Sequence, residues 1–141
     1  MADGEEHRII ITLARQMPPF VGFVLGRLQG AGFEAFVAGG AVRDAALNRR
    51  TADWDVATSA PRRSLTELFR DTPHFALKHD TVTLVGDGRR VDVTPFRGER
   101  PSRRGDLARR DFTINAMACD PGRRVLADPF GGLRDIRSKR I

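Results

Sequence analysis

Two aspartates flank the single tryptophan of the chain in Asp53-Trp54-Asp55. On an extended strand, residues two apart project from the same face. Asp53 and Asp55 then stand side by side, while Trp54 and Val56 turn the other way into a core. Like charges at that spacing repel, so the pair requires a cation or raised pKa values. A Mg²⁺ ion held by one or two carboxylates, with positions left for phosphate oxygens, resolves the conflict. A bare Asp-x-Asp is more often a solvated strand edge, so the rest of the chain has to decide between the two.

Asp92, in "RRVDVTPF", sits between Val91 and Val93 and shares its face with Thr94. If its strand lies beside that of Asp53 and Asp55, three carboxylates converge. Two metals then fit the chemistry, one activating an attacking hydroxyl and one clamping a triphosphate. Gly39-Gly40 follows an apolar run and precedes a helical pattern. Glycines at such a corner let the backbone approach a ligand, and the N–H groups at a helix start favour an anion. Arg43, one turn on, can reach a phosphate. No Gly-Lys-Ser/Thr follows, so this is not a Walker loop. In "DLARRDFTINAMA", Arg110 can pair with phosphates or stack on a base, and Asp111 and Asn115 can hydrogen-bond a ribose. His7, His74 and His79 lack metal-ligand spacing and read as incidental, His79 as a hairpin-edge residue.

These residues need elements to hold them. Glu5–Arg15 reads as a helix with Ile9, Ile10 and Leu13 on one side, broken by "MPPF". A second helix is expected over Pro19–Gln29, burying Phe20, Phe23, Val24 and Leu28. "FEAFVAGG" reads as a buried strand, "AVRDAALN" as a short helix and "DWDVAT" as the next strand. Ser59 is a candidate cap for a helix with Pro61 in its first turn. "DTVTLVGDGRRVDVTPF" is a hairpin turning at Asp87-Gly88. An Arg-rich loop is expected over Arg97–Gly105, then a second hairpin or a helix-to-strand turn, then a final helix. Hairpins mixed with helices point to an antiparallel or mixed sheet.

Composition narrows the class. The chain has 141 residues, 40% hydrophobic and 30% charged, as in a soluble single-domain protein. No apolar run reaches membrane-spanning length, and "MADGEEHRII" has no signal-peptide layout. A cytoplasmic protein with no membrane partner is expected. Cys119 is the only cysteine, which excludes an internal disulfide and a cysteine-cluster metal site. The net charge of +6 favours an anionic partner such as RNA, DNA or nucleotide. Arg100, Arg103, Arg104, Arg109 and Arg110 crowd one region.

The motifs "GGAVRD", "DWDVATSA", "HDTVTLVGDGRRVDVTPFR", "DLARRDFTINAMA" and "LADPFGGLRDI" follow in this order. Together they resemble the catalytic head domain of class II (bacterial-type) tRNA nucleotidyltransferases and the related bacterial poly(A) polymerases. The resemblance covers roughly residues 18–141 and leaves 1–17 as an N-terminal extension with a helical pattern. It implies an α+β fold of the polymerase-beta-like nucleotidyltransferase type, a small mixed or antiparallel sheet with flanking helices. It also implies Mg²⁺-dependent transfer of a nucleotide from CTP or ATP to the 3′ end of tRNA, with release of pyrophosphate. Asp53, Asp55 and Asp92 match the family's metal-binding carboxylates. Gly39, Gly40 and Arg43 match its triphosphate cradle, and Arg110, Asp111 and Asn115 the motif that holds the nucleotide's sugar and phosphates. Only Gly98–Gly105 separates the Asp92 strand from the Arg110 motif, and a short loop there is associated with CC-adding members. Family members continue into a helical neck that selects the base and into domains that grip the tRNA. An incomplete head is therefore expected here. Two other readings stand beside it: a non-catalytic RNA- or nucleotide-binding module, and a poly(A) polymerase head.

Overall fold

The alternating strands set the centre of the fold. The computed structural model describes residues 2–76, 80–97 and 102–139. In it, Trp54–Thr58 forms β2 and Arg89–Pro95 forms β5. They run parallel, with Asp55 opposite Asp92. β1 (Ala35–Ala38) pairs antiparallel with β2, and β4 (Val82–Gly86) pairs antiparallel with β5. β3 (His74–Ala76) extends the sheet beyond β4, while β6 (Ala118–Asp120) and β7 (Val125–Ala127) extend it beyond β1. The order is β3-β4-β5-β2-β1-β6-β7. This is an α+β fold on a mixed, mostly antiparallel sheet.

Helices α1 (Ala2–Gln16), α2 (Pro19–Gly30), α3 (Gly40–Ala46) and α4 (Arg62–Leu68) bury their apolar stripes against one face. There Ile9, Leu13, Val21, Leu28 and Leu65 meet Trp54, Val56, Leu84, Val91 and Val93 in one cluster. Each such side chain contributes about 1.5–3 kcal/mol by leaving water. Residues 1–17 were expected as an extension; α1 brings Ile9, Ile10 and Leu13 into this same core. On the opposite face, α5 (Arg103–Ala108) sets Leu107 against Phe36, Ala57 and Phe96, and Ala38, Ala116 and Ala118 complete this second, smaller cluster. α6 (Gly132–Arg137) closes the chain. Asp128 accepts the backbone N–H groups of Gly132 (2.6 Å) and Leu133 (3.0 Å), which caps its start.

Among the described residues no single helix is long and apolar enough to cross a membrane. Cys119 is fully buried, and burial pushes its thiol up to about 12.

Four local expectations change. Phe23 is 43% exposed, on the flank of α2. The buried stripe is instead Phe20, Val21, Val24, Leu25 and Leu28, and Phe23 packs its ring on Phe20 and against the edge of Phe69. Ser59 does not cap α4, whose N-cap is Pro61. Its Oγ instead accepts from the N–H of Glu34 at 2.8 Å, a tie between neighbouring strands. The Arg-rich loop gives way to α5 at Arg103, because Ser102 Oγ accepts from the N–H of Gly105 and caps it. Asp53 lies just before β2 and is exposed. The His79 reading lies outside the described residues.

Candidate active site

Strand register gathers the acidic residues on the face opposite α1–α4. Reading across the sheet, Phe75, Thr83, Asp92, Asp55, Ala38, Ala118 and Ala127 are paired neighbour to neighbour in one row. In-register neighbours share a face, so Asp55 and Asp92 project together at the centre. Thr83 Oγ1 donates to Asp92 Oδ1 at 2.6 Å and fixes that carboxylate. Asp53 stands at the mouth of a cleft of about 400 Å³ that it shares with Asp55, Thr83 and Asp92.

The carboxylates are not equivalent. Burial raises the pKa of Asp55, and Asp92 and Asp53 raise it further, against the lowering influence of Arg110 and Arg97. The site therefore resists its own negative charge. Among the described residues no three carboxylate, imidazole or thiol groups stand together so as to hold a metal ion. The aspartates instead line an open cleft, a donor set that suits a hard cation still needing outside oxygens. A cleft of similar size between α2 and α4, lined by Arg27, Glu67, Arg70 and Asp71, mixes its charges and has no such convergence.

The basic side of the site begins where β1 ends. Gly39 takes φ +74, a left-handed conformation that favours glycine. A Cβ there would come within 3.1 Å of Arg110 Nη1 and 4.0 Å of Asp55 Oδ2, so the missing side chain opens the approach between cation and carboxylate. Arg43 folds back over Gly40 and donates Nη1 to Asn115 Oδ1 at 2.9 Å, with Asp44 on its other edge. Asn115 sits on the 3-10 turn Thr113–Asn115, which the Thr113 hydroxyl ties to Asp135 of α6.

Arg110 leaves the end of α5 and is held by buried Asp106 at 3.5 Å. Asp106 also accepts from the N–H of Arg97 at 3.2 Å. Arg110 Nε is buried and has no hydrogen-bond partner among the described residues. Together Arg97, Arg110, Asp55 and Asp92 line a second opening of about 550 Å³.

Gly39, Gly40, Arg43, Asp55, Asp92, Arg110 and Asn115 thus come together, with Asp53 at the rim. Asp111 does not join them: it is exposed on the turn after α5. Sequence reasoning missed Thr83 and Asp106. Thr83 had a usable signal, since it alternates with Val82 and Leu84 in the hairpin that faces Asp92. Asp106 stands four residues before Arg110, a helical i,i+4 pair.

The Poly A polymerase head domain family matches residues 35–141. The chain belongs to this family. Relatives of this head domain include the CC-adding tRNA nucleotidyltransferase of Shouchella clausii, 39% identical over 79% of the chain and 29% of that protein. The CCA-adding enzyme of Bacillus licheniformis is 41% identical over 84% of the chain and 33% of that protein. Among solved structures, the Thermotoga maritima CCA-adding enzyme complexed with tRNA superposes with a TM-score of 0.75 and 30% identity. That likeness covers 92% of this chain and 34% of the larger one. The chain therefore spans about a third of the length of these relatives.

Proposed function

We propose that this head domain carries out the metal-dependent transfer of a nucleotide from CTP or ATP to the 3′ end of tRNA, releasing pyrophosphate, as a CCA- or CC-adding catalytic unit of the cytoplasm. The observation that carries the reading is the pairing of Asp55 with Asp92 beside Arg110, Arg43 and the bare backbone of Gly39. Asp53, Asp55 and Asp92 would hold Mg²⁺, two ions in the full arrangement. The metal would supply charge neutralisation on the phosphates and a more nucleophilic 3′-oxygen.

The chain's own residues do the positioning. Arg43 and Arg110 bring fixed positive charge to the triphosphate, and the unpartnered Nε of Arg110 finds its acceptor in a phosphate oxygen. Asn115 holds Arg43 in place and offers its amide to the sugar. Phosphoryl transfer is governed by positioning and charge, and these groups supply both.

A thermal-shift experiment tests the reading. Mg²⁺ with CTP or ATP should raise Tm, because a hundredfold excess over Kd stabilises the native state by about 2.7 kcal/mol. The Asp53→Ala/Asp55→Ala double variant should lose that shift. An unchanged shift would remove the metal assignment. Absence of labelled nucleotide on a tRNA lacking its 3′ end, with RNA binding intact, would favour the non-catalytic module suggested by the +6 charge.

A further inference from the structure

An in-line displacement needs the attacking and leaving oxygens on opposite sides of the phosphorus. Gly39 and Arg43 lie on the β1 side of Asp55, and Arg110 points its Nη1 toward Gly39; with the triphosphate on these groups, the leaving pyrophosphate departs on that side. The attacking hydroxyl must then come from the other side, over Asp92 and the strands β5, β4 and β3. That side ends in an exposed aromatic ring. Phe75 is 39% exposed on β3, in the same row as Thr83 and Asp92, and it lines the carboxylate cleft. Arg90 is exposed and lays its guanidinium over the ring, 5.1 Å from the centroid. Two strand spacings, about 10 Å, separate Phe75 from Asp92. One nucleotide spans that gap when its 3′-oxygen lies at Asp92 and its base reaches outward.

We propose that Phe75 and Arg90 form a stacking platform that seats the terminal base of the acceptor RNA on the Asp92 side of the site. The inference rests on the nucleotidyl-transfer reading. A planar guanidinium on an aromatic ring is a surface that accepts any base by stacking, without reading its edge. That suits an acceptor whose terminal residue changes as it grows.

The test uses the full chain and a 5′-labelled tRNA acceptor minihelix lacking its 3′-terminal residue. Binding is followed by fluorescence anisotropy at several salt concentrations, and Mg²⁺–CTP binding by thermal shift. Phe75→Ala should weaken minihelix binding by roughly tenfold. The salt slope should stay unchanged, since the ring carries no charge. Phe75→Trp should bind as wild type, and both variants should keep the Mg²⁺–CTP shift. Wild-type affinity in Phe75→Ala, or equal loss in Phe75→Trp, overturns the platform. Loss of the Mg²⁺–CTP shift in Phe75→Ala overturns it as well. A wild-type chain with no Mg²⁺–CTP shift removes the parent reading and the platform with it.

Discussion

On β5, Val91 and Val93 are fully buried beneath the helices, whereas Asp92 between them faces Asp55 and Thr83 on the opposite side. β2 repeats the contrast, with Trp54 and Val56 inward and Asp55 outward. The two faces therefore share strands but not tasks. The apolar face holds the register, because a slip of one residue would carry Val91 and Val93 into water and Asp92 into the core. The polar face inherits that register as the spacing of its carboxylates. Core packing thereby positions the chemistry without touching a ligand.

If the faces divide in this way, substitutions should sort by face. The largest effect is expected at Leu84, fully buried against the helices. Leu84→Ala should lose about 2–5 kcal/mol in urea unfolding; a loss below about 1 kcal/mol would break the division.

On the carboxylate face, Thr83→Val keeps the side-chain shape and removes the 2.6 Å bond to Asp92. Metal affinity should fall roughly 10–100-fold, as for other groups that orient a ligand. Thr83→Ser should restore it in a Mg²⁺ titration of nucleotide binding, and failure of the rescue would argue for a packing role.

A smaller effect concerns stability alone. The folded pKa of Asp55 is raised, so the native state holds its proton more tightly than the unfolded chain. Stability should decline as pH rises from about 4 through the folded pKa, and Mg²⁺ should oppose the decline. Asp55→Asn should raise the Tm of the metal-free protein at pH 7 by a few degrees and flatten that profile. A lower Tm would show that the carboxylate is a structural asset. Smallest of all, Asn115→Ala should release Arg43 and weaken nucleotide binding by about 0.5–1.5 kcal/mol, with unfolding unchanged.

Much of this was legible in the residues. Alternation in "DTVTLVGDGRRVDVTPF" identified the hairpin, and Gly-Gly after an apolar run identified the β1–α3 corner. Helix flanks were less legible. Phe23 fits an apolar spacing yet lies outside the stripe, because the side of α2 that meets the core runs through Phe20, Val21, Val24, Leu25 and Leu28. Ser59 was taken by the N–H of Glu34, a partner 25 residues away. Thr83 and Asp106 escaped notice because a threonine in a strand and an aspartate in a helix are ordinary until their partners are known.

The sequence by itself determined which face the strand residues of β2, β4 and β5 would take, since period-2 alternation is a local property. It also carried the ordered motifs that assign the chain to its family. Tertiary structure alone decided that β2 and β5 are parallel neighbours, with Asp55 opposite Asp92. It also decided that Arg110 reaches past Gly39 and that Phe75 ends the same row. Those pairings join segments tens of residues apart. Their register follows from how α1, α2 and α4 cover the sheet, which no local window of the chain contains.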